Sequence, residues 1–339
     1  MTPSAALIEG IRRVSRAPAV LGCVFAVTFL TALPFSLMTR QAMIDHLGNS
    51  MAAEQAARGL NFEWLSEFGA RGGPFAQTFV TTIVGFAAVL DNLSTLLDAE
   101  SRPPAVLWIG AAYLTLWLFL SGGILDRYAR ARPTAVHEFF AACGVYLVRF
   151  LRLLPFAAAA YYLLFAHLHP LLLDTVYGAL TRDVTVERTA FLWRVLLYAV
   201  FGCAFAAVNL LVDYARVRAV VEDRRSMIGA LAAGIRFARR NAVAVVGLYL
   251  MGGVLFVGIL LLYALVAPGA AASGPWVWLG FATGQLYLLA RLWLRLVLLA
   301  SETALFQGRL AHAGYVASAP PPRSEPPIVE RLVAADPQL

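Results

Sequence analysis

The chain has 339 residues, of which 60% are hydrophobic and 14% charged, with a mean hydropathy of +0.72. An ordinary soluble domain carries about 25% charged residues, so this composition excludes one and calls for lipid as a solvent. All 27 basic residues are Arg and the net charge is +7. The absence of lysine excludes a P-loop ATPase and a pyridoxal enzyme, which need theirs for phosphate and Schiff base. Every cation is instead a permanently charged planar fork suited to phosphate and carboxylate.

One crossing of a bilayer takes about 20 apolar residues. Six spans are expected in chain order, at about 17–38, 104–125, 150–168, 191–212, 242–266 and 276–296. The fold class is therefore an all-α polytopic membrane protein, with residues 1–310 as the membrane domain. The first span follows Arg12, Arg13 and Arg16. Its apolar run exceeds that of a signal peptide and has no clean small-x-small site, so an uncleaved anchor is expected.

Residues 39–103 are expected on the outer surface. Within them, 41–73 mix charge with Met43, Leu47, Met51, Leu60, Trp64, Leu65 and Phe68, a pattern for amphipathic helices lying over the bundle. The stretch Pro74 to Leu90 is apolar but carries Gln77 and three threonines. Charge decides its placement. With six spans and the N-terminus inside, twenty arginines face the cytoplasm and six face outward, with Arg194 inside a span. A seventh span at 74–90 would send 17 of those twenty to the wrong side. An interfacial or re-entrant helix is the expectation. Acids divide evenly, so the inner face carries +10 and the outer −4, which makes the cytoplasmic face attractive to anions. Both termini are expected on the cytoplasmic side.

A five-residue frame occurs twice: Tyr128-Ala-Arg130-Ala-Arg132 after the second span and Tyr214-Ala-Arg216-Val-Arg218 after the fourth. Asp126 or Asp213 precedes each, and Arg149 with Arg152, or Arg236 with Arg239, follows. The pattern predicts a parallel repeat of span, basic elbow, interfacial helix and span, against coincidence in an Ala- and Arg-rich chain. In 134–152 Ala135, Phe139, Phe140, Cys143, Tyr146, Leu147 and Phe150 are expected to share a helical face. In 226–240 Met227, Ile228, Leu231, Ile235 and Ala238 do the same. Ser226 is a candidate N-cap for the second.

Two segments, GGILDRYARARPTAVHEFF and DYARVRAVVEDRRSMIGALAAGIRFARRN, together with the closing SETALFQ, carry a resemblance. Over about residues 104–310 the chain resembles uncharacterised bacterial six-span inner-membrane proteins, a group that includes the membrane domain of glycerophosphoryl diester phosphodiesterases. The resemblance implies architecture and a place in membrane-lipid physiology. The catalytic barrel of the phosphodiesterase and its His-Arg-Gly signature are missing here, so its activity is not implied.

No HExxH or Gly-x-Ser-Gly pattern is found, and the expectation is a protein that is not an enzyme and has no cofactor. Cys23, Cys143 and Cys203 lie in apolar stretches without CxxC spacing and are read as small buried hydrophobes. His167 and His169 would diverge by about 200° on a helix, which favours an interfacial cap over a metal site. Arg291 and Arg295 sit one turn apart near the inner end of the last span, with Asp126 and Asp213 as the nearest plausible carboxylates.

Two functions are expected from these residues. The first is a scaffold or accessory protein in which Arg130, Arg132, Arg216, Arg218, Arg236, Arg239 and Arg240 contact anionic phospholipid headgroups. The second is a transporter or flippase-like carrier in which Arg291 and Arg295 coordinate an anionic or lipid substrate. The expected partners are membrane lipids, with a protein partner or homo-oligomer left open and no nucleic acid. Residues 311–339 are expected to form a Pro-rich mobile cytoplasmic tail.

Overall fold

A computed structural model describes residues 1–48, 51–54, 61–79, 85–267 and 275–310. The Pro-rich tail, residues 80–84 of the apolar stretch and Leu60 of the outer segment lie outside the described residues. The described residues form helices and no strands. We number them α1 (Pro3–Ser15), α2 (Pro18–Leu47), α3 (Phe62–Arg71), α4 (Gly73–Ala76), α5 (Phe86–Leu97), α6 (Pro104–Arg130) and α7 (Val136–Leu163). After two π-helical turns, Leu164–Leu168 and Leu171–Val176, come α8 (Tyr177–Thr181), α9 (Glu187–Val221), α10 (Met227–Arg240), α11 (Ala242–Val266) and α12 (Pro275–Arg309).

Five helices among the described residues are long and apolar enough to cross a membrane: α2, α6, the continuous Val136–Thr181 helix, α9 and α11. The protein is an all-α, multi-pass membrane protein in this sense. Their surfaces agree with that environment. Leu250, Val254, Val257, Leu261, Leu262 and Leu265 of α11 are all at least 50% exposed, a contiguous apolar face that water would not tolerate.

The stretch expected as an interfacial helix at 134–152 and a span at 150–168 is one unbroken 46-residue helix. Nothing between Val136 and Leu154 stops it, because the segment holds no proline and a single glycine, Gly144. Pro155 sits within α7, and Pro170 lies between the two π-turns, where its missing N–H has released the regular ladder. The second hairpin is different. There Asn241, at φ −118° and ψ 27°, separates α10 from α11, and its side-chain amide donates to the Phe237 carbonyl at 3.1 Å.

The core lies at one end of the bundle. It gathers Trp117 to Ala129 of α6, Val212 to Val221 of α9, Leu292 to Phe306 of α12, and the buried faces of α1, α7, α10 and α11. This is also the end that carries both Tyr-Ala-Arg frames, so we call it the arginine-rich end. Close helix approach makes it dense. A Cβ on Gly10 of α1 would meet the Val297 carbonyl oxygen at 2.8 Å and the Ser301 nitrogen at 2.9 Å of α12. A Cβ on Gly123 of α6 would meet the Phe139 carbonyl oxygen of α7 at 2.8 Å. Small residues at such crossings let backbones approach where lipid supplies no hydrophobic drive.

Candidate anion-binding site

The first elbow ends α6. Ala131 takes a left-handed backbone, φ 51° and ψ 25°, and Pro133 follows two residues on. Helix termination leaves the last carbonyls without intrahelical donors, and remote side chains supply them. Arg13 of α1 donates to the Tyr128 carbonyl at 2.8 Å and to Gln307 Oε1 at 3.0 Å. Gln307 in turn donates to the Ala129 carbonyl at 2.9 Å. Arg13 is itself held by Glu9 at 3.0 Å. The terminal SETALFQ segment is thus part of the elbow: Ser301, Glu302 and Thr303 are buried, and the two hydroxyls bond their own helix at Val297 and Leu299.

The nine arginines expected to bind anions fall into three groups. Arg130 pairs with Asp126 at 2.9 Å, Arg216 with Asp213 at 3.3 Å, and Arg218 with Glu222 at 3.0 Å. These three are partly buried and spend their charge inside the fold. Arg132, Arg236, Arg239 and Arg240 are exposed and make no salt bridge among the described residues. Arg291 and Arg295 are exposed on the flank of α12, also without a salt bridge among the described residues. Asp126 and Asp213, the carboxylates expected near them, are taken by Arg130 and Arg216.

The surface group is organised by α10. Ser226 caps this helix, accepting from Gly229 N at 3.3 Å. Its buried face is Met227, Ala230, Ala233, Gly234, Phe237 and Ala238. The sequence pattern placed Met227, Ile228, Leu231, Ile235 and Ala238 together, but packing selects the small-residue face because Gly234 lies against the α9 backbone. A Cβ there would stand 3.3 Å from Ala215 N. Ile228 is consequently turned outward, 66% exposed, with Leu231 and Ile235 half-buried beside it. At about 100° per residue, these three form an aliphatic edge between the buried face and Arg239, Arg236 and Arg240.

Other sequence candidates have structural roles. Arg149, expected as part of the basic repeat, crosses to the second elbow and pairs with Asp223 at 2.6 Å. His169 Nε2 lies 2.8 Å from the Leu97 carbonyl, whereas His167 meets the Tyr162 ring edge-on. No group of three metal-ligating side chains occurs among the described residues. Arg194 lies within α9 as expected, is exposed there, and reaches Asp98 at 3.4 Å. Tyr198 donates a short hydrogen bond to the same carboxylate and Ser94 donates at 2.9 Å. The Tyr198 hydroxyl, followed by Ser94 and Arg194, holds the Asp98 carboxyl below its ordinary value against a smaller opposing effect of burial.

Sequence reasoning did not find Trp117, whose ring centre lies 3.7 Å from the Arg295 guanidinium carbon. No pattern links positions on two different spans, so only the packed helices reveal it. In the sequence Arg13 signals only topology, and its role at the first elbow likewise depends on the fold. No protein-family model, curated protein or solved structure matches the chain.

Proposed function

We propose that this protein is a six-span, non-enzymatic component of a bacterial inner membrane whose cytoplasmic face binds anionic phospholipid headgroups in a scaffold or accessory role. α12 supplies the sixth crossing, since its 35 residues extend about 52 Å at 1.5 Å per residue. The excess of arginine at the end shared by both frames supports a cytoplasmic location for that end. A part in membrane-lipid physiology, which the resemblance to the phosphodiesterase membrane domain implies, rests on the same arginines.

The observation that carries this reading is the outer face of α10, where exposed Arg236, Arg239 and Arg240, without a salt bridge among the described residues, adjoin the aliphatic edge of Ile228, Leu231 and Ile235. Such an edge dips into the acyl boundary while the guanidinium groups stay among phosphates. Each arginine contributes about 1 kcal/mol near an anionic surface. Spin-labelled lipids in bilayers containing the full chain test it. Preference for phosphatidylglycerol over phosphatidylcholine should fall by about tenfold in R236Q/R239Q/R240Q, and about 0.5 M salt should have the same effect on the wild type. An unchanged preference in the triple variant refutes the reading.

A further inference from the structure

Arg291 and Arg295 belong to a different part of the molecule from the surface arginines. They stand one helical turn apart on α12, about 27 and 21 Å along the helix from Arg309 at 1.5 Å per residue. Beyond them α12 is enclosed by protein, with Leu296, Val297, Ala300, Ser301, Thr303, Leu305 and Phe306 essentially inaccessible. Arg291 and Arg295 themselves are exposed. The Arg295 guanidinium carbon sits over the Trp117 ring of α6, within electrostatic reach of Asp213, Arg216 and Tyr113.

The local charge does not balance. Asp213 is already bound to Arg216 at 3.3 Å. Glu302, the other acid near them, feels Asp213 and Arg216 and forms no salt bridge among the described residues. Asp213 is felt by Arg295, but its salt bridge is with Arg216. Two guanidinium groups at the depth of the apolar helices thus have no salt bridge among the described residues, although charge at that depth is costly unless paired. Tyr287, one turn before Arg291, interacts with its guanidinium group, and the flank is otherwise apolar: Leu288 on the same face of α12 is half-buried and Leu114 on α6 is 62% exposed.

We propose that Arg291 and Arg295, with Trp117 behind Arg295, form a lateral site for the phosphate of an anionic amphiphile whose chains lie along the exposed flanks of α6 and α12. Two guanidinium forks at i and i+4 match the several oxygens of a phosphate ester, which accepts paired charge-assisted hydrogen bonds. The Trp117 face orients Arg295 by cation–π contact and leaves its N–H edges for the ligand. The apolar flank of Leu288 and Leu114 favours an amphiphile over a free ion. This site uses none of the α10 arginines and stands independently of the surface reading.

The full-length chain in phosphatidylcholine nanodiscs containing a small fraction of phosphatidylglycerol provides the test. Native mass spectrometry counts anionic lipid retained after a wash in about 0.5 M salt, which screens surface contacts. The wild type should retain such a lipid. R291Q/R295Q should retain about tenfold less, and R236Q/R239Q/R240Q should match the wild type. Millimolar inorganic phosphate should leave the lipid in place; displacement by it would support the anion site and assign free phosphate as the occupant. Equal retention by R291Q/R295Q and wild type overturns the proposal, as does a wild type that holds neither lipid nor phosphate. If R291Q/R295Q does not fold, R291K/R295K keeps both charges without the forks: a several-fold loss is expected, and undiminished retention overturns the site.

Discussion

The two elbows share the Tyr-Ala-Arg frame and end their helices by different means. In the first, Pro133 bars the preceding residue from helical geometry, and α6 stops at Arg130, with Tyr128 and Ala129 carbonyls capped by Arg13 and Gln307 from α1 and α12. In the second, no proline follows, and α9 continues past the frame to Val221. There Asp223 takes φ 47°, Arg224 N bonds the Ala219 carbonyl at 3.0 Å, and Asp223 N bonds that of Val220 at 3.4 Å. This is the paired-bond cap that usually employs glycine. The carbonyls that end the first elbow are thus capped by other helices, whereas the second elbow caps itself through its own backbone and is braced from outside by Arg149 of α7 on Asp223. A repeated frame fixes the chemistry at hand, while the residues just after it decide where the helix ends and what must hold it.

That contrast can be broken most severely at Arg13. Arg13→Ala removes a charge-assisted cap and leaves carbonyls of the first elbow short of donors, so a loss of about 3 kcal/mol is expected. Thermal unfolding in mild detergent measures it, and R13A as stable as wild type would show that the first elbow caps itself too. The helix crossings sharpen the comparison at a smaller scale. Gly123→Ala forces a methyl against the Phe139 carbonyl at 2.8 Å and should cost about 2 kcal/mol. Gly234→Ala meets Ala215 N only at 3.3 Å, and a helix-propensity gain of about 1 kcal/mol offsets the contact. The paired melting curves should therefore separate, with Gly234→Ala close to wild type.

The smallest expected effect lies at the opposite end, where an acid-sensitive tie joins α9 to the residue after α5. Asp98 has its folded-state carboxyl pKa held below the ordinary value by Tyr198. Its stabilising contribution is therefore complete above the unfolded value and disappears as pH falls through the folded one, below about pH 4. Between pH 5 and 8 the tie should be insensitive. Tyr198→Phe should raise the pH at which it is lost, toward the unfolded value, read as acid-dependent melting; an unmoved acid limb would show that Tyr198 does not hold the proton off.

Much of the helical layout was legible because apolar length and period are local properties. The five long apolar helices coincide with runs that hydropathy marks, and Ser226 caps α10 where the pattern put an N-cap. The junction at 134–152 was less legible. Amphipathic periodicity identifies a face but not a boundary, and the chain passes from that face into the apolar run without a breaker. The rotation of α10 was hidden for a related reason: hydrophobicity favoured Ile228, whereas close packing favoured Ala230, Ala233 and Gly234.

Sequence by itself determined the solvent, the helical class and the concentration of arginine around the elbows, since these follow from composition and from spacing along the chain. Only the tertiary structure decided which arginines are spent. Arg130, Arg216 and Arg218 are paired locally, Arg13 and Arg149 bind across the fold, and Arg236, Arg239, Arg240, Arg291 and Arg295 remain without salt bridges among the described residues. A charge is neutralised by whatever lies within a few ångströms, and that distance is set by helices meeting in space rather than by their order in the chain.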